Sequence, residues 1–71
     1  KMYSEMAYQI NKLYREVEDI RDYKDLREKI SIVLFTLLDA GMIDEFDRER
    51  LSCKNYSLYE IYYNRAVEKS K

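Results

Sequence analysis

Apolar residues near the start of the chain recur at spacings of three and four: Tyr3, Met6, Ile10, Leu13, Val17 and Ile20. Such spacing lines one side of a helix with a heptad seam. The positions between them are mostly polar or charged, among them Glu5, Gln9, Lys12, Arg15, Glu16 and Asp19. The pattern predicts an amphipathic helix from about Ser4 to Asp19.

The phase then slips. Continuing the heptad would place Lys24 and Arg27 inside, whereas the apolar residues fall at Tyr23, Leu26, Ile30, Val33 and Leu37. A turn within residues 20–25 accounts for the slip, with Asp22 and Asp25 supplying the acidic residues favoured at a helix start. A second helix is predicted from Tyr23 to Ala40. Ile30, Ile32, Val33, Leu34, Phe35, Leu37 and Leu38 surround it on most sides, which marks it as the buried centre of a bundle. Gly41 follows as a left-handed cap.

Beyond the glycine, DEFDRERL (residues 44–51) reads as a short helix that turns Ile43, Phe46 and Leu51 inward. The polar stretch Ser52-Cys53-Lys54-Asn55 reads as a loop. Ser57 with Glu60 forms a capping box for a last helix, whose stripe is Tyr59, Tyr62, Tyr63, Ala66 and Val67. The expected fold is therefore all-α: a small bundle of three main helices plus one short helix, in a single domain over residues 1–71. Its core is drawn from Leu26, Ile30, Val33, Leu34, Leu37, Phe46, Leu51, Leu58 and Tyr62. Residues 1–22 either fold back onto it or project as a coiled-coil-like arm.

Composition narrows the chemistry. The 71 residues contain no histidine, proline or tryptophan, one glycine and one cysteine. Zinc sites draw on clustered His and Cys, and disulfide frameworks on paired Cys. Phosphate-cradling loops need several glycines, and a nucleophilic triad needs a base. Cys53 has no histidine to activate it, and reads as a half-buried structural thiol. The acidic run Asp44, Glu45, Asp47, Glu49 is interleaved with Arg48 and Arg50, and reads as a helix start rather than a cation site. No enzyme activity and no cofactor are expected.

Charge is balanced, with 13 Lys and Arg against 14 Asp and Glu. The two signs are spread evenly, unlike the basic face of a phosphate-binding surface. The longest apolar run, Ile32-Val33-Leu34-Phe35, is far short of the ~20 residues that span a bilayer. No secretory signal pattern opens the chain. With its lone cysteine, this points to a cytoplasmic, intracellular setting. The start Lys-Met points to a piece excised from a longer protein.

Eight tyrosines are unusual for this length, and four of them, Tyr56, Tyr59, Tyr62 and Tyr63, cluster near the end. A ring with a polar tip suits surfaces that are wet alone and buried on binding. A chain this short seldom seals a sufficient core by itself, and association is the remaining support. The expected function is a regulatory protein–protein interaction or oligomerisation module. Its partner face is the heptad seam (Tyr3, Met6, Ile10, Leu13, Val17, Ile20) or the tyrosine face (Tyr59, Tyr62, Tyr63), docking a second copy or a helix of another protein. The competing expectation is a small dimeric DNA-binding regulator, because LLDAGMIDEFDRERL has the element order of a helix-turn-helix. Four acids against two arginines in its second helix fit that role poorly.

Overall fold

A computed structural model describes residues 2–71, arranged as α1 (Met2–Arg15), α2 (Asp22–Asp39) and α3 (Glu45–Lys69), with no strand among the described residues. The bundle is elongated, 43 × 20 × 16 Å. At about 1.5 Å per residue, the 25 residues of α3 alone account for most of the long axis.

Each boundary has a local cause. α1 stops at Arg15, four residues short of the predicted end, because Asp19 organises the turn that follows. Its carboxylate accepts from the Arg21 backbone N–H at 2.9 Å and from the Arg21 guanidinium at 3.1 and 2.7 Å. Those bonds hold the Asp19 carboxyl down at about 2. The turn therefore lies at residues 16–21, slightly ahead of the predicted position. Asp22 and Asp25 occupy the first turn of α2 as expected, but no side chain caps that helix.

α2 ends as predicted, on Gly41 with φ +74°. The Met42 N–H reaches back to the Leu37 carbonyl at 2.9 Å, and the Gly41 N–H to Leu38 at 3.0 Å. This pair of bonds is a Schellman motif, which requires a left-handed residue at that position. Asp44 then starts α3, its carboxylate accepting the Asp47 N–H at 2.7 Å.

The short helix and the capped last helix of the sequence-based expectation are one continuous helix. Nothing between residues 45 and 69 is proline or glycine, so no breaker interrupts it. Ser52 to Asn55 is not a loop, and Ser57 lies exposed in mid-helix rather than at a cap. The polarity of that stretch has another explanation. Asn55 is 1% exposed and belongs to the core.

Cross-helix pairs give the topology. Tyr3 meets Arg50 and Asn11 meets Tyr62, so α1 runs parallel to α3. Tyr23 meets Tyr63, Arg27 meets Tyr59 and Phe35 meets Arg48, so α2 runs antiparallel along its whole length. α2 and α3 thus form an αα-hairpin, not the steep crossing of a helix-turn-helix. The N-terminal segment does not project, since α1 packs on α3 through Ala7, Ile10 and Tyr14.

The central helix is α3, contacted by both others, and not α2. The buried core is Ala7, Ile10, Tyr14, Tyr23, Ile30, Leu34, Ile43, Leu51 and Leu58. Of the expected core, Leu26, Leu37 and Tyr62 are half-buried, and Val33 and Phe46 are exposed. A polar link threads the apolar interior. The Tyr14 hydroxyl donates to Asn55 Oδ1 at 2.5 Å, and Asn55 Nδ2 donates to the Arg27 carbonyl at 3.0 Å. One side chain of α3 so ties both neighbouring helices, and the register of all three is set there.

Candidate functional site

The heptad seam of α1 is divided between two surfaces. Ile10 is buried; Tyr3, Met6, Val17 and Ile20 are half-buried; Leu13 is 46% exposed. Helical geometry explains the division. Ala7, Ile10 and Tyr14 form the flank turned to α3, while Met6 and Leu13 stand on the flank turned to α2. α2 is divided the same way, with Ile30 and Leu34 buried and Leu26 and Val33 towards α1.

These two flanks do not close on each other. α1 and α2 meet at the Tyr14–Tyr23 stack, ring centroids 6.4 Å apart. Over the remainder a groove of about 440 Å³ separates them. Its floor is Ile10, Ile30 and Leu34; its walls are Met6 and Leu13 on one side and Leu26 and Val33 on the other. Glu5, Gln9 and Lys29 stand at the rim, and the surface between is apolar. A second hollow carries it on past Leu13, Leu26 and Lys29 to Glu16, Val17, Asp22 and Asp25. The result is one trough along the side opposite α3, where a further helix would complete a four-helix bundle.

Other exposed apolar side chains are shielded differently. The Arg48 guanidinium lies 4.6 Å from the centroid of the Phe35 ring, and Arg50 lies over both Tyr3 (4.0 Å) and Phe46 (4.7 Å). Cation–π contact and the aliphatic stems of these arginines cover part of each ring. Leu13 and Val33 stay 46% and 53% exposed. A hollow of about 730 Å³ at the 16–21 turn mixes Arg15, Arg65 and Lys69 with Glu18 and Asp19. That balance of charge selects no ligand class.

The tyrosine cluster is not a single face. Tyr62 points to α1, donating to Asn11 Oδ1 at 2.9 Å and stacking on Tyr14 with centroids 6.2 Å apart. Tyr59 and Tyr63 point to α2, where Arg27 lies 4.6 Å from the Tyr59 centroid and Tyr63 meets Tyr23 edge-on. The three rings so serve two internal contacts, with Tyr63 and Tyr56 left at the exposed margin. Burial pushes the Tyr14 phenol well above its usual value of 10, outweighing the opposing pull of Arg27.

Three acids of the 44–49 run have structural partners. Asp44 caps α3, Glu45 pairs with Arg48, and Asp47 pairs with Arg50 at 2.7 Å. Cys53 is exposed rather than half-buried, because the unbroken helix turns it outward. Among the described residues no three metal-binding side chains gather, and no helix is long and apolar enough to cross a membrane. Comparison with known proteins finds no matching family, curated protein or solved structure.

Leu26, Val33 and Lys29 were not legible as lining a groove. The available signal was the excess of apolar positions around α2, more than one neighbouring helix can cover.

Proposed function

We propose that this chain is a non-enzymatic interaction module that receives an amphipathic helix in the trough between α1 and α2. The supporting observation is the uncovered apolar strip formed by Met6, Leu13, Leu26 and Val33 over a buried floor. Helix-in-groove recognition uses such a strip, reading anchors spaced three and four residues apart on the incoming helix. The heptad half of the expected partner face contributes Met6, Ile10, Leu13 and Val17 to this trough. Tyr59, Tyr62 and Tyr63 act instead as internal supports of the α3 contacts.

The test is binding of a labelled amphipathic peptide with a leucine stripe and neutral flanks, followed by fluorescence anisotropy. Saturable binding to the native chain is expected, with at least ~10-fold loss in the Leu13→Asn/Val33→Asn variant, since two apolar anchors are removed from the contact. Both positions are about half exposed, so the variant retains its fold. Equal binding by native chain and variant would refute the assignment.

A further inference from the structure

We infer that the occupant of the trough is a helix of another protein whose apolar stripe is flanked by Lys or Arg; this rests on the docking function proposed above. Charge along the trough carries the inference. Glu5, Glu16, Asp22 and Asp25 line or border it against a single cation, Lys29. The chain as a whole is nearly neutral, with a net charge of −1, so a local ratio of four acids to one base marks this face. None of these five side chains forms an ion pair among the described residues. Asp19, beside the same turn, is matched by Arg21, which makes the unmatched acids on the trough the more distinctive.

A second copy fits badly. Trough against trough would bring two acidic rims together, which costs affinity and slows encounter. Nor do α2 and α3, among the described residues, offer a helix face of the required kind. The outward face of α2 shows Ile32, with Glu28 and Asp39 nearby, its Phe35 being partly covered by Arg48 of α3, and α3 shows Ile61 as its one exposed aliphatic residue. A basic amphipathic helix meets both demands, burying its stripe on Met6, Leu13, Leu26 and Val33 while its cations face the acids on either side.

The experiment uses three peptides matched to the 18-residue length of α2, with an identical leucine stripe and flanks of Lys, Gln or Glu. Affinities for the native chain are measured by anisotropy at about 50 mM and 500 mM salt, where screening lengths differ roughly threefold. The expected order is Lys over Gln over Glu, with at least ~10-fold between the extremes at low salt and ~2-fold or less at high salt. Glu16→Gln/Asp22→Asn/Asp25→Asn should flatten the series. Because the flanks vary on the peptide, the ordering does not depend on any variant folding. Equal affinities that are all lost in Leu13→Asn/Val33→Asn would overturn the basic-helix chemistry and leave the docking function standing. Failure of all three peptides to bind, or binding indifferent to Leu13→Asn/Val33→Asn, would overturn both. A concentration-dependent doubling of mass in light scattering, abolished by the same variant, would overturn the basic-helix chemistry by assigning the trough to a second copy.

Discussion

Replacing Tyr14 by Phe removes one oxygen from a wholly buried ring and leaves its stacking partners in place. Asn55 Oδ1 then loses its 2.5 Å hydrogen bond while Asn55 itself stays buried. Leaving one buried acceptor unpaired costs about 1–3 kcal/mol. In a chain of 71 residues that corresponds to a fall in Tm of roughly 5–20 °C. Circular dichroism at 222 nm against temperature and urea gives the value. The double variant Tyr14→Phe/Asn55→Leu removes both partners and should be less damaged than the sum of the singles, by about 1–2 kcal/mol. Alkaline titration adds a signed test. Burial raises the folded-state pKa of Tyr14 above the unfolded value of 10, so the folded chain retains a proton that the unfolded chain releases. The stability this provides is complete below pH 10 and declines above it, by up to ~1.4 kcal/mol per pH unit. The phenyl ring of the Tyr14→Phe variant does not titrate, so the gap between native and variant should narrow as pH rises past 10. A Tyr14→Phe cost under about 0.5 kcal/mol, or a gap that widens with pH, would refute the role given to this bond.

Gly41→Ala should destabilise by about 1–2 kcal/mol although nothing obstructs the added methyl, because φ is +74°; Gly41→Asn should lose less, as urea midpoints will show. Asp44→Ala removes the α3 cap and should cost ~1 kcal/mol, with Asp44→Ser restoring most of it in the same assay. Leu51→Ala opens a cavity at a fully buried position of the central helix, and a loss of about 2–5 kcal/mol in chemical denaturation is expected.

Helix content and the α2 stop were legible because they follow from local chemistry: the seam from Tyr3 to Ile20, the absence of breakers, and Gly41 before an acidic helix start. The course of α3 was not. Ser52-Cys53-Lys54-Asn55 carries the composition of a loop, and Asn55 reads as core only once Tyr14 and the Arg27 carbonyl are known to converge on it. The centre of the bundle was misplaced for a related reason. α2 is the most apolar segment, yet Ile32, Val33 and Phe35 remain exposed, while α3 is buried at Leu51, Asn55 and Leu58 by contact with two helices. Hydrophobicity counts apolar side chains, whereas burial depends on how many neighbours a helix has. The candidate site was half visible, since the α1 seam supplies one wall and the other emerges only when α2 lies alongside it.

The most direct test of the docking function is a methyl-resolved NMR titration of the native chain with the lysine-flanked peptide. Shifts should concentrate on Met6, Leu13, Leu26 and Val33, while Leu51 and Leu58 in the core and Ile61 on the far face of α3 stay in place. Perturbations centred on Ile61, or on Met42 just past the α2 cap, with Leu13 and Val33 unmoved, would contradict it.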